Sequence, residues 1–232
     1  MSLLKRLSWG NKPRGFAEEM LDSFPRSLQP PEPLQMYFRW LDANNLYRTS
    51  TYNNYRYALI DPTQTSSCIA IEPVDAACSR SWTGSDDPVV FERLAAFCRT
   101  GGDGSRAALW LDDSNSTKIV HLGSGSGSTM FGVLLDDPID FLRLLAIGYD
   151  ELCWPEQHDL TPEQVFDAYA LEDDEFVPPE SPAKLRDWVQ STFKVAVPER
   201  ASDILGKVPS MDVDYSDDPF WQWDHSLPKW QS

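Results

Sequence analysis

Three short apolar segments follow one another closely in the middle of the chain, and their spacing limits how the strands can pair. The segments are Ala107–Leu111, Lys118–Leu122 and Thr129–Leu134, and the links between them are Asp112–Thr117 and Gly123–Ser128. Links this short can join antiparallel strands, whereas parallel strands need a crossover of about a dozen residues or more. The sequence therefore predicts antiparallel hairpins at the centre of the fold.

Helical patterns lie before and after these strands, and Asp-Pro pairs mark two of the helix starts. Asp favours the N-cap and Pro the first helical position, so we predict helices that begin at Asp87-Pro88 and at Asp137-Pro138. The first is expected to end at Gly101 and to bury its apolar positions Leu94, Phe97 and Cys98. The remaining predicted elements are helices over 15–24, over 31–46, from Thr161 and from Ser181-Pro182 to Phe193, and strands at Tyr57–Ile60 and Cys68–Glu72.

Strands in the middle with helices on either side are typical of an α+β protein rather than of alternating α/β units. We therefore expect an α+β fold with a central, mostly antiparallel sheet and helices packed before and after it. A chain of 232 residues fits one domain of this kind. We predict an exposed loop at Tyr47–Tyr57 and three regions, namely a basic N-terminal segment at 1–14, a single α+β domain at 15–205, and an acidic aromatic C-terminal tail at 206–232, mostly irregular and docked on the domain.

The residue patterns that carry catalysis or metal binding are incomplete in this sequence. The run GSGSGS at 123–128 lacks the lysine of a phosphate-binding loop and is predicted to be a turn. His121 is predicted to be a hydrogen-bonded core histidine and His158 an exposed loop residue. The four cysteines lie far apart, without a pair at metal-ligand spacing, and are expected to be reduced, mainly buried thiols. We therefore expect no catalytic residues, no cofactor and no metal.

The charge of the chain is its strongest global feature. The formal net charge is −16, and residues 151–232 hold 18 acidic against 6 basic side chains, a balance of −12. Such a field repels nucleic acid and anionic membranes and steers a basic partner towards the protein. An acidic surface also keeps a protein soluble, and that simpler interpretation stays open. Because no apolar run reaches the length of a signal-peptide core or of a membrane span, the sequence predicts a cytoplasmic protein.

Aromatic and acidic residues alternate near the end of the chain, in DYSDDPFWQWD at 214–224. Aromatic side chains anchor protein interfaces, and neighbouring carboxylates select a basic partner. Alternatively, Phe220 and Trp221 complete the protein's own core while the aspartates stay outside. The candidate partner-binding residues are those of the two acidic segments, Asp173, Asp174, Glu175, Asp217, Asp218, Trp221 and Trp223.

Three stretches together resemble the SUKH superfamily, which includes bacterial immunity proteins and yeast cell-wall regulators of the Smi/Knr type. They are LWLDDSNSTKIVHLGSGSGSTMFGVLLDDPIDFLRLLAIGYDEL at 109–152, KLRDWVQSTFKVAVPERASDI at 184–204 and SDDPFWQW at 216–223. PLQMYFRWLDANNLYR at 33–48 fits more loosely, and the family's early "NG" is replaced by Asn44-Asn45. The similarity touches about half of the chain and makes 15–205 a SUKH-like domain.

The resemblance implies an α+β fold without enzymatic activity and a role as an immunity protein. Such a protein binds and blocks a cognate polymorphic toxin that acts in the cytoplasm, and this partner is expected to present a basic surface. A non-catalytic scaffold or regulator of the same superfamily is the alternative function, and an enzyme that uses a carboxylate pair is the third.

Overall fold

The computed structural model describes residues 14–51, 54–60, 68–172 and 181–231. Its helices are α1 Phe16–Ser23, α2 Glu32–Ala43, α3 Ala76–Thr83, α4 Pro88–Arg93, α5 Pro138–Ile147, α6 Pro162–Glu172, α7 Ala183–Phe193, α8 Ser202–Leu205 and α9 Pro219–Ser226. Its strands are β1 Tyr47–Thr49, β2 Arg56–Leu59, β3 Ala70–Ile71, β4 Leu94–Arg99, β5 Arg106–Leu111, β6 Thr117–Leu122 and β7 Gly132–Leu135. Residues 1–13 of the predicted basic segment lie outside the described ranges.

The seven described strands form one sheet in which each strand pairs with the next along the chain. Every pairing is antiparallel, from β1 with β2 to β6 with β7. In the central hairpin Trp110 lies opposite Lys118, and the turn that follows β5 spans 112–116. The predicted α+β fold with an antiparallel sheet is confirmed.

Helices cover both faces of this sheet. On the first face α1, α2, α5 and α7 pack against residues such as Ala95 and Phe97 of β4. On the second face α3, α4 and α9 pack against Leu94 and Ala96 of the same strand. Successive side chains of a strand point to opposite faces, so β4 is apolar at neighbouring positions because both of its faces are buried.

The amphipathic helices of the first face follow their predicted patterns. In α2 the buried residues are the predicted ones, Leu34, Tyr37, Phe38 and Leu41. The helix predicted at Asp137-Pro138 is α5, in which the Asp137 carboxylate accepts a hydrogen bond from the backbone N–H of residue 139 at 2.8 Å. In α6, Thr161 and Gln164 exchange the two hydrogen bonds of a capping box, at 2.9 and 3.3 Å.

Two local predictions are wrong in the region before the central hairpin. The helix predicted from Asp87 to Gly101 ends at Arg93, and Leu94, Phe97 and Cys98 lie in β4 instead. A fully buried strand shows no alternation of apolar and polar residues, so its sequence cannot be told from that of a buried helix. The predicted loop at 47–57 contains β1 and the first residues of β2, and α3 was not predicted.

The burial of the four cysteines can be compared with the prediction from the sequence. Cys98 and Cys153 are buried, Cys68 and Cys78 are half-buried, and none of the four is in a disulfide. The prediction of reduced, mainly buried thiols is confirmed for Cys98 and Cys153. No helix within the described ranges combines the length and the apolar character that crossing a membrane requires.

Candidate partner-binding surface

The last 26 described residues determine which acidic and aromatic side chains of the tail reach the surface, because the segment 206–231 is fastened to the edge of the sheet. Its start runs antiparallel to the residues that precede β7, with one isolated bridge between Thr129 and Ser210. The Asp212 carboxylate accepts hydrogen bonds from the Gly127 N–H at 2.7 Å and from the Ser126 hydroxyl at 3.1 Å. The glycine-serine run is therefore a turn held by the tail, as predicted.

Asp218 fixes helix α9 to the free edge of β7. One carboxylate oxygen accepts hydrogen bonds from the N–H groups of Phe220 and Trp221, at 2.9 and 3.0 Å, and so caps the helix. The other oxygen accepts from the Val133 N–H at 2.9 Å. A Cβ atom at Gly132 would lie 2.9 Å from the Asp218 Cγ, so the close approach requires a glycine there. Asp218 is thus engaged in holding α9 in place.

Helix α9 buries two aromatic side chains in the second face. Phe220 is fully buried and Trp223 is 8% exposed. The Phe220 ring lies 5.0 Å from the Phe131 ring and 5.4 Å from the Trp110 ring, and Trp223 lies 5.8 Å from Trp110. Within 206–231 the tail is helical over 219–226 and irregular over most of the rest, as predicted, and the candidate Trp223 lies in the protein's own interior.

Asp224 contradicts the expectation that the tail aspartates stay outside. Its side chain is buried, with Oδ2 2.7 Å from the Lys229 Nζ, and Oδ1 has no hydrogen-bond partner among the described residues. Burial raises the pKa of this carboxyl, and the nearby Lys229 opposes the shift. Lys229 Nζ also donates to the Thr83 carbonyl at 2.8 Å, where α3 ends. The hydrogen bond from Lys229 to Thr83 therefore ties this part of the tail to the end of α3.

The opposite side of α9 faces solvent. Trp221 and His225 are four residues apart and lie on one side of the helix, and Asp217 lies two residues before the first helical residue, Pro219. Asp217 and His225 are exposed, and Trp221 is half-buried. The rings of Trp221 and His225 stack with centroids 3.6 Å apart, and the His225 Nδ1–H donates to the Trp221 carbonyl at 2.8 Å. The indole is held in place by its own helix.

Three exposed aspartates of this segment form no ion pair among the described residues. Asp214 accepts a hydrogen bond from the Ser216 N–H at 2.9 Å, and hydrogen bonds to Ser216 lower its pKa. Within the described part of the chain, Asp212, Asp214 and Asp217 have no ion pair. We call the surface formed by these three aspartates, Trp221 and His225 the tail face.

The other sequence candidates are distributed differently. Asp173, Asp174 and Glu175 lie outside the described residues. His158 was predicted to be exposed but is 3% exposed, and its Nε2–H donates to the Leu152 carbonyl at 3.1 Å. The sequence signal for an exposed loop, the neighbours Glu156 and Asp159, was local, whereas the burial comes from packing.

His121 is a buried, hydrogen-bonded histidine, as predicted. Its Nε2 lies 2.9 Å from the Thr100 hydroxyl, and Nδ1 lies 3.2 Å from the carbonyl oxygens of Thr129 and Met130. Burial lowers the pKa of His121 to about 4. The described ranges contain no group of three or more His, Cys, Asp or Glu side chains placed to hold a metal ion.

Comparison of the chain with protein-family models, with curated proteins and with solved structures gave no match in any of the three.

Proposed function

We propose that this protein is an immunity protein of the SUKH type, which binds a cognate toxin in the cytoplasm and blocks its active site or substrate surface without catalysing a reaction. The observation that carries the proposal is the tail face, where Asp212, Asp214 and Asp217 have no ion pair among the described residues and belong to the same segment as the half-buried Trp221. The resemblance to the superfamily supports the same proposed function.

Charge complementarity favours a basic partner. The chain carries a net charge of −16, and the exposed aspartates of the tail face add to this field because no basic side chain within the described ranges forms an ion pair with them. Toxins that act on nucleic acid need a basic cleft to hold phosphates. Opposite charges increase the rate of encounter and align the two surfaces.

Preorganisation favours the tail face over a flexible acidic segment. Helix α9 is capped by Asp218 and packed through Phe220, so the half-buried Trp221 lies on a fixed element. An aromatic side chain that is already ordered loses little entropy on binding and suits the centre of an interface. The tail face therefore offers an anchor surrounded by charges.

The test is co-expression with the product of the adjacent gene. We expect the protein to restore growth and to form a stable complex, in line with a stoichiometric inhibitor. The variant Asp214→Lys/Asp217→Lys should bind the toxin at least about tenfold more weakly, mainly through slower association at low salt. The control Asp167→Lys/Asp187→Lys changes the net charge equally on the exposed sides of α6 and α7 and should bind normally.

Two outcomes would contradict the proposal. If the adjacent gene product is not toxic, or if its toxicity persists, neutralisation is not the function. If both double variants lose the same affinity, the tail face is not the binding surface. Capture of several housekeeping proteins without any protection would indicate the scaffold function instead.

A further inference from the structure

A groove on the second face of the sheet is separate from the tail face. It lies between α9, α4 and the turn at 112–116, and its volume is about 620 Å³. This is within the range of sites that enclose a ligand of a few hundred daltons. Its walls include three carboxylates, those of Asp87, Asp112 and Asp113, and one guanidinium, that of Arg93.

Among the described residues that line the groove, Arg93 is the only basic one, and it is already paired with a carboxylate. Arg93 Nη2 lies 2.7 Å from the Asp113 Oδ1, and its Nε–H donates to the Leu111 carbonyl at 2.7 Å. The guanidinium also lies over the rings of Trp110 and Trp223, 5.8 and 5.4 Å from their centroids. Arg93 is thus part of the wall and leaves the groove with an excess of negative charge.

The other two carboxylates are fixed by backbone hydrogen bonds rather than by cations. Asp87 caps α4 by accepting from the Val89 N–H at 3.0 Å. Asp112 accepts from the N–H groups of Ser114 and Ser116, at 2.9 and 2.8 Å, and the hydrogen bonds of these serines lower the pKa of Asp112. Neither carboxylate forms an ion pair within the described ranges. Both carboxylates are therefore held in position.

The rest of the wall combines apolar side chains with the polar Ser114, Gln222 and Ser226. Val89, Pro219 and Leu227 line the groove together with Trp110. Trp110 is 2% exposed, and its indole N–H has no acceptor among the described residues. A buried donor without an acceptor costs free energy.

We propose that this groove binds a short, extended, basic segment of the partner protein. The inference deepens the proposed function, on which it rests, by naming a second contact and its chemistry. The basic side chains of the segment would lie against Asp87 and Asp112, its apolar side chains against Leu227, and its backbone carbonyls near Trp110. A second copy of this chain does not fit, because each copy carries a net charge of −16.

The test uses the full-length protein and a synthetic blocked hexapeptide of alternating arginine and leucine. The variant is Asp87→Asn/Asp112→Asn/Asp113→Asn, because asparagine keeps the helix cap and the turn while it removes the charge. The matched control is Glu32→Gln/Asp167→Asn/Asp187→Asn, which removes the same charge from exposed positions of α2, α6 and α7. Binding is followed by NMR, through the indole N–H signals, and by titration calorimetry.

We expect saturable peptide binding that shifts the indole signals of Trp110 and Trp223, and we expect the groove variant to lose about tenfold or more in affinity. The control variant should retain affinity within about twofold. Equal losses in both variants, shifts confined to other tryptophans, or equal binding of a glutamate-leucine hexapeptide would overturn the proposal.

The same variants separate this proposal from the function itself. If the toxin is neutralised and Asp214→Lys/Asp217→Lys abolishes binding while the groove variant binds normally, the groove proposal fails and the proposed function stands. If the peptide binds in the groove but no toxin is neutralised, the groove proposal stands as a basic-peptide site and the immunity function fails.

Discussion

The two faces of the sheet are closed in different ways. On the first face several helices contribute to one apolar core, in which Phe97 contacts the rings of Phe24, Phe38 and Phe141 at 6.2, 6.4 and 5.5 Å. On the second face the cover includes α9, which lies near the end of the chain and is fixed by Asp218 and by the ion pair of Asp224 with Lys229. The first face is held by packing from many elements, whereas the second also depends on a few polar contacts.

This difference teaches how the acidic tail is used. A carboxylate that caps a helix or a strand edge contributes to the fold, whereas one without a partner is available to bind another molecule. Asp218 belongs to the first kind and Asp217 to the second, although they are neighbours in sequence. The composition of the tail alone does not separate the two roles.

The prediction with the largest expected effect compares the two apolar cores by a phenylalanine-to-alanine substitution in each. Phe97→Ala should lower the free energy of unfolding by about 3–5 kcal/mol, because it leaves a cavity among aromatic rings in the first face. Phe220→Ala should cost less in global unfolding, since α9 lies near the chain end and can detach locally. Urea denaturation measures the first effect, and amide hydrogen exchange measures the second.

The pattern of amide hydrogen exchange in Phe220→Ala shows whether the two faces of the sheet differ in local stability. In Phe220→Ala we expect the amides of α9 to lose protection while those of β4 and β5 keep it. If exchange increases equally in α9 and in the sheet, the second face is as integral to the core as the first, and the comparison fails.

The second prediction uses acid to weaken one face and not the other. His121, on the first face, has a folded-state pKa of about 4, below the ordinary value of about 6.5. As the pH falls, the unfolded chain therefore binds a proton on this histidine at a higher pH than the folded chain does. The contribution of His121 to the free energy of unfolding is complete above about pH 6.5 and is lost as the pH falls to about 4, a change of about 3 kcal/mol.

Asp224, on the second face, shifts in the opposite sense. Burial raises its pKa, so ionisation disfavours the folded state, and its contribution to stability decreases as the pH rises above the ordinary carboxyl pKa of about 4. Acid should therefore weaken the first face through His121 and not the second face through Asp224. NMR titration of the His121 ring measures the first effect directly, and a ring that titrates near pH 6.5 would contradict the prediction.

Local sequence signals were sufficient where one element determines its own burial. The spacing of Leu34, Tyr37, Phe38 and Leu41 predicted both the helix α2 and its buried side. The short links at 112–117 and 123–128 predicted the hairpins of β5, β6 and β7. These features depend on helical periodicity and on loop length, and both are visible within a short stretch of the sequence.

Local signals failed where burial depends on distant segments. Trp223 lies against Trp110, more than a hundred residues earlier, and no pattern within the tail reveals that contact. The helix α9 itself had a usable signal, because Asp218-Pro219 repeats the Asp-Pro helix start of Asp87-Pro88 and Asp137-Pro138. The groove was missed because its walls come from three separate parts of the chain.

The prediction with the smallest expected effect compares two neighbouring aspartates of the tail, Asp218, which holds α9 in place, and Asp217, which is exposed. Asp218→Ala removes the helix cap and the hydrogen bond to the Val133 N–H, and we expect a loss of about 1–3 kcal/mol in the free energy of unfolding. Asp217→Ala removes an exposed carboxylate without a hydrogen bond among the described residues, and it should change stability by less than about 0.5 kcal/mol. Urea denaturation of both variants measures the difference. Equal losses would mean that Asp217 also holds the fold, and the tail face would then lose its best candidate for partner recognition.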